Sequence, residues 1–445
     1  MHIIIVGAGI AGLSAAVSLA QSGHVVTILE SASALAEVGA GVQLTPNTTK
    51  WLWKWGCASD VLATSALPES FNVSDGVTGT ELGSVSFDDF TARYGGPYLV
   101  IHRGDIHRIL HEHAIDAGVA IRLNSRVKQY FPEEGRLILT NGDLFEADLI
   151  IAVDGINSGA RQYFMKQDKS GSITDDGLEN TGWAAFRLMA DVASLGRHAG
   201  LKHLATSHRC NCAAGDGCSI MTYKVKGADK LNLVLSHPDN VDTTEWTQEH
   251  YRDAIHTMFR DFSSDMRDLL NIAMNNPDCT ITNWPVQQVA TLPAWASDSG
   301  KLVLMGDAAH AMCFYLSMGV SMAAEDAAAL TECLNLMQGS SGKVTLADAM
   351  KLFECVRKPR AKMIRDASLN AGRVLHLPVG QERNIRDASL QNNGGQSTYT
   401  KDIAINEIVE LAMSSRYGIV DNTIRDWCYR YDVVDDIRKQ WQRTF

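Results

Sequence analysis

The chain opens on a short β-branched apolar run, His2 to Val6, followed by helical spacing from Ala11 to Ser22 and a second apolar run, Val25 to Leu29. Strand, helix and strand in that order predict a β-α-β unit, and parallel strands joined through a helix imply a doubly wound sheet. Two later runs, Asp148 to Val153 and Lys301 to Met305, read as buried strands, each ending in a glycine-bearing turn. From about Thr181 to Thr282 the pattern becomes alternating, in Trp183 to Met189, Ser219 to Val225 and Leu231 to Ser236, which predicts an antiparallel sheet forming a separate domain. After Asp307 the spacing turns helical through Met318 to Met337, Leu346 to Ala371 and an amphipathic stretch near Asp402 to Ser415.

Composition narrows the function more than the fold. With 445 residues, 45% of them hydrophobic, the chain can bury more than one core. A net charge of -11 argues against nucleic acid and against an anionic membrane surface, since both reward a basic face. The apolar stretch Ile3 to Ala20 carries patterned glycines and lacks the basic start of a leader or the length of a span, so no membrane segment is expected. Nine cysteines, mostly scattered singly, suggest reduced thiols and a cytoplasmic setting.

The chemistry collects at the strand ends. Gly7-Ala8-Gly9-Ile10-Ala11-Gly12 follows the first strand and opens a helix, with Glu30 at the end of the second strand, which is the dinucleotide fingerprint in its required context. Gly7 permits the turn, Gly9 lets backbone amides reach a pyrophosphate, Gly12 lets helix and strand approach, and Glu30 can accept from ribose hydroxyls. This pattern alone leaves NAD and FAD open.

Further segments resemble group A FAD-dependent monooxygenases of the salicylate hydroxylase and para-hydroxybenzoate hydroxylase type, including their fungal members. The residues that carry the resemblance are Glu37 to Asn47, His102-Arg103-Gly104-Asp105, Asp154-Gly155 with the residues up to Arg161, Gly306-Asp307-Ala308-Ala309-His310 followed by Glu325-Asp326, and Tyr429-Arg430-Tyr431-Asp432 near the end. The resemblance implies noncovalent FAD held by Gly7, Gly9, Gly12, Glu30, Gly41, Val42, Arg103, Asp154, Asp307, Gly319 and Val320. It also implies NADH or NADPH as a transient cosubstrate, O2, a flavin hydroperoxide, and a small aromatic or heteroaromatic substrate. A helix starting near Gly319 would steady the negative pyrimidine end of the flavin. Plainer readings of single residues stand beside these: an ion pair of Arg103 with Asp105, backbone caps for the two aspartates, and core packing for Met312, Phe314, Leu316 and Met318. Ala311, Phe314, Met318 and Ser321 stand where most such enzymes carry proline, proline, glutamine and asparagine.

Thr181 to Arg187 and Ser219 to Val225 resemble the strands that bring an arginine and a tyrosine over the substrate, which makes Arg187 and Tyr223 the candidate catalytic residues. Trp183, Trp246 and Trp284 are candidates for an aromatic pocket or for core. His208, Cys210, Cys212 and Cys218 fit no standard zinc spacing, so no metal is expected. The expected fold is α/β: a doubly wound Rossmann-like FAD domain built from 1–70, 98–175 and 283–360, interleaved with an antiparallel-sheet substrate domain built from 71–97 and 176–282, then C-terminal helices over 361–445. The expected activity is NAD(P)H-dependent hydroxylation, epoxidation or dearomatization of an electron-rich ring. An FAD dehydrogenase or oxidase, or a flavin-binding protein without turnover, are the alternatives.

Overall fold

His2–Val6 is apolar almost throughout because it becomes the central strand of a sheet covered on both faces. The computed structural model describes residues 1–35, 41–166, 176–225, 229–392 and 420–445. The sheet is parallel and five-stranded, in the order Leu302–Leu304, Leu149–Ala152, His2–Val6, Val25–Leu29 and Ala120–Arg122. Helix Ile10–Gln21 returns from the first strand to the second and packs on the helix Gly319–Gly339, where Ser18 and Thr331 share a 2.7 Å hydroxyl hydrogen bond. Helix Leu346–Leu375 lies outside that pair. The expected elements are thus present with ends shifted by a few residues. The stretch near Asp402–Ser415 and residues 36–40 of the flavin-approach segment lie outside the described residues.

A second sheet has seven strands, ordered Thr282–Val289, Leu178–Asp191, Lys230–Pro238, Ser219–Val225, Arg209–Ala214, Ser70–Asp75 and Glu81–Ser86. It departs from the expected antiparallel pattern at one place, because Arg209–Ala214 runs parallel to Ser70–Asp75. Those two strands come from distant parts of the chain, so no tight hairpin dictates their direction. Alternation sorts the residues of this sheet. Leu231, Leu233 and Leu235, with Phe186, Leu188 and Ile220, join helices Gln248–Met258 and Ser264–Met274 in a core of their own. The intervening residues Asn232 and Val234, with Arg187 and Tyr223, fall on the opposite face, which is turned toward the strand Gly41–Leu44.

Helix Gly319–Gly339 is buried from Ser321 to Thr331, and two carboxylates lie inside that stretch. Glu325 and Asp326 are both fully enclosed. Asp326 accepts from His310 at 2.6 Å, from the Gly306 amide at 3.1 Å and from Arg357 at 2.8 Å. Glu325 accepts from Asn47 at 2.7 Å, Arg357 at 2.8 Å and Arg360 at 3.2 Å. Burial pushes both carboxyls upward, but the charges of Arg360 and Arg357 on Glu325, and of His310 and Arg357 on Asp326, outweigh it and leave both below the ordinary carboxylate range. Arg360 also donates to the carbonyls of Trp427 and Cys428 and lies 4.2 Å over the Tyr431 ring, while Asp432 caps the helix Val433–Thr444.

Removing one partner from this cluster strands a charge in the interior. Arg357→Met is therefore expected to lower unfolding free energy by about 3 to 5 kcal/mol, measured by denaturant unfolding of the flavin-loaded protein. A loss under about 1 kcal/mol would show that the cluster is solvated and dispensable. Because the folded protein holds both carboxyls below their unfolded range, their contribution is present above that range and is lost as pH falls through it. Wild-type stability should accordingly drop in acid, and less steeply in a Glu325→Gln variant.

Candidate active site

Gly7 adopts φ +112°, and a Cβ there would sit 2.5 Å from the Val153 carbonyl oxygen, so the turn joins the ends of two neighbouring strands as only glycine can. A Cβ on Gly12 would collide with the Gly7 carbonyl oxygen. At Gly9 the situation is reversed, since no atom lies within 4 Å of the Cβ position. The space above the start of helix Ile10–Gln21 is therefore open at the one glycine that must let a diphosphate approach. Glu30 accepts from the Ala8 amide at 2.8 Å and the Ala32 amide at 2.7 Å, so the expected ribose acceptor also pins the loop. His107 holds the other side of Ala8 through its carbonyl, at 2.7 Å.

The second glycine turn meets the first. Gly306, at φ +61°, leaves room of only 2.9 Å between a would-be Cβ and the Ala11 side chain. Next to it Asp307 is exposed, and among the described residues its carboxylate has no hydrogen-bond partner. The helix after it begins at Gly319, as expected; Gly319 is exposed, with open space over it, and Val320 is half-buried beside it. Open space at Gly9, a free carboxylate on Asp307 and the positive end of a 21-residue helix are each features that suit the FAD chemistry expected of them.

Asp154 has two roles to divide. One oxygen accepts from the Gly159 amide at 2.9 Å, the Ala160 amide at 3.3 Å and Tyr130 at 3.3 Å, which is the backbone-cap reading. The other is buried with no partner. Gly41 and Val42 pair with His102 and Ile101, which brings Arg103, the first residue of helix Arg103–Asp116, beside them. Asp105 has Arg108 at 3.9 Å.

Arg187 and Tyr223 do share a sheet face, two strands apart. Tyr223 is buried, and its hydroxyl donates to the Gly41 carbonyl at 2.6 Å, so it grips the flavin-approach strand directly. Burial raises the phenol above its ordinary range, with Arg187 opposing. Arg187 has a buried Nε without an acceptor, and burial with the like charge of Arg103 lowers its guanidinium from the usual value. Its guanidinium lies 5.7 Å from the centre of the Trp284 ring, and that ring is 58% exposed. Of the other two tryptophans, Trp183 lies against His376 at 4.3 Å and Trp246 against Tyr251 at 5.5 Å.

Leu316 and Met318 are buried, while Met312 and Phe314 are half-buried. Ser321 ties its helix to the Pro46–Lys54 helix through Thr45 at 2.5 Å and Thr48 at 2.6 Å. No metal-holding group of His, Cys, Asp or Glu occurs among the described residues. Cys210 and Cys212 are thiols pushed up to about 12 by burial, and Cys218 to about 11. The Glu325–Arg357 cluster and the Tyr223 contact to Gly41 join residues far apart in the sequence, although an acidic pair inside an alanine-rich helix is a visible sign of the first.

The open space at Gly9 sets a test. Gly9→Val should fold normally yet retain little FAD, scored by absorbance and by released flavin, and full retention would move the diphosphate elsewhere. Asp307→Ala should lower flavin retention or the rate of flavin reduction while leaving the melting temperature within a few degrees; unchanged flavin affinity and kinetics would make Asp307 a turn residue only.

The family described as "FAD binding domain" matches residues 1–367. The FAD-dependent monooxygenase atnJ of Arthrinium sp is 33% identical over 398 residues, covering 89% of this chain and 90% of its own. The 3-hydroxybenzoate 6-hydroxylase 1 of Aquipseudomonas alcaligenes is 32% identical over 393 residues, covering 87% and 92%. Among solved structures, Klebsiella pneumoniae HpxO complexed with FAD and uric acid superposes with a TM-score of 0.72 at 19% identity, over 93% of this chain and 97% of that one, which is a likeness of fold. By these matches the chain belongs to the FAD-binding-domain family of FAD-dependent monooxygenases.

Proposed function

We propose that this flavoenzyme inserts one atom of O2 into an electron-rich aromatic or heteroaromatic ring, with NADH or NADPH as electron donor. The observation that carries the reading is the sheet face over Gly41, where a buried guanidinium Nε without a partner stands beside an exposed tryptophan ring. Bound FAD supplies the redox and oxygen chemistry. The chain's own residues do the binding, orienting and sealing. Arg187 would pair with a phenolate or carboxylate, which fixes the ring's orientation and, for a phenolate, supports its electron-rich form. Trp284 offers a flat apolar face next to that charge.

Tyr223 holds the Gly41 carbonyl and so keeps the flavin-approach strand at a fixed height under the sheet. The apolar side chains Met312, Phe314, Leu316 and Met318 line the chain between Asp307 and Gly319, where exclusion of water protects oxygen chemistry. A single dinucleotide fingerprint, taken up by FAD, supports a nicotinamide cosubstrate that visits without a Rossmann site of its own. The 3-hydroxybenzoate in one relative's name is an aromatic acid with a ring hydroxyl, the kind of molecule that Arg187 suits. Nine free cysteines support a reducing, cytoplasmic setting, and no helix among the described residues is long and apolar enough to cross a membrane.

A screen of small phenols, aromatic acids and indoles should find compounds that accelerate NADH or NADPH oxidation and yield a product heavier by one oxygen, derived from O2. Flavin reduction that no ring compound stimulates would sink the reading in favour of a different flavin chemistry. With a substrate in hand, Arg187→Ala should keep its FAD and lose about 2 to 5 kcal/mol of substrate interaction, read from kcat/KM. Near-normal product yield from that variant would remove Arg187 from the substrate's path, and equal loss of flavin and activity would assign it to folding.

A further inference from the structure

Asn232 stands in the middle of the same sheet face, opposite Tyr223 on one neighbouring strand and Met189 on the other. It is 0% exposed, and neither its amide nitrogen nor its amide oxygen has a hydrogen-bond partner. A wholly enclosed amide with both ends unpaired is a costly thing to keep, and leucine of nearly the same volume would remove the penalty. Leucine is what the strand carries at 231, 233 and 235, on the face covered by its own helices. Asn232 instead stands on the side that faces the strand Gly41–Leu44, beside Tyr223.

Arg187 lies in the next row of that face, since its cross-strand partner is Val234. Residues diagonal across a sheet are within reach of long side chains. The two unpaired groups are complementary, a guanidinium N–H that donates and an amide that both donates and accepts. Arg187 makes no hydrogen bond among the described residues, and its guanidinium lies 5.7 Å from the centre of the Trp284 ring.

Resting on the monooxygenase reading of this cleft, we propose that Asn232 determines its specificity by taking the polar edge of the substrate next to Arg187. The substrate class this selects is a planar ring with a hydrogen-bond donor adjacent to an anionic or carbonyl acceptor. A ring with only one of the two would leave the amide unpaired in the closed complex, which is how a site built for hydrogen bonding rejects analogues.

The test uses flavin-loaded protein and follows the absorbance of the bound flavin as ring compounds are titrated in, so it reads binding without turnover. The probes are 2-hydroxybenzoate against benzoate and 2-hydroxyquinoline against quinoline. Wild type should bind at least one hydroxylated member about tenfold or more tighter than its partner, the scale expected for an unmatched buried polar group. Asn232→Leu, with flavin content intact and a melting temperature at or above wild type, should lose that discrimination, and Asn232→Ala should lose it too. Discrimination retained in both variants, or absent from wild type, overturns the proposal. Discriminating binding that depends on Asn232 but never leads to an oxygenated product supports the Asn232 assignment and overturns the monooxygenase reading instead.

Discussion

The burial of Glu325 and Asp326 is the constraint on which the rest of the molecule's geometry depends. Two adjacent carboxylates inside a helix point to different sides, so each must be matched by groups arriving from different directions. Asn47 comes from the helix after the Gly41 strand, Gly306 and His310 from the turn before the helix itself, and Arg357 and Arg360 from the long helix outside. Arg360 then reaches the carbonyls of Trp427 and Cys428, which places the end of the chain. Such a cluster adds little net stability, because desolvating four charges costs about what their attraction returns. What it adds is a single permitted arrangement of the parts that carry Asp307, Gly319 and the flavin-approach strand.

Close backbone contact is the second half of that arrangement. The Gly7 turn leans on Val153, Gly12 lies against Gly7, and Gly306 meets Ala11, so three parallel strands deliver their ends close together. Open space over Gly9 is what remains beside these contacts. The cradle is thus a consequence of packing on its inner side.

The parallel sheet was legible because strands covered on both faces are almost continuously apolar and their glycine turns cannot be replaced by larger residues. The Gly319 helix start was legible from spacing and from the resemblance together. Less legible were features whose partners are far apart in the chain. Tyr223 reads as a residue over the substrate, yet its hydroxyl is spent on Gly41, 182 positions away. The parallel pairing of Arg209–Ala214 with Ser70–Asp75 leaves no local trace, since alternation is the same for either direction. Asp154 read as a cofactor contact or as a cap; one oxygen caps and the other is buried unpaired, a division no sequence pattern encodes.

The sheet face over Gly41 can carry an unpaired Arg187 Nε and an unpaired Asn232 only because its reverse side is so firmly set. Leu231, Leu233 and Leu235 lock the central strand into a core with Phe259, Leu269 and Leu270, and that core fixes the register. A slip of one residue would move the leucines to the cleft and Asn232 into the helices, which no packing on either side would tolerate. Polar groups left without partners would otherwise be free to turn toward water or to unravel an edge. Held on a central strand, they can neither rotate away nor satisfy each other without a side-chain movement. The unfavourable energy is therefore confined to the face turned toward the strand Gly41–Leu44.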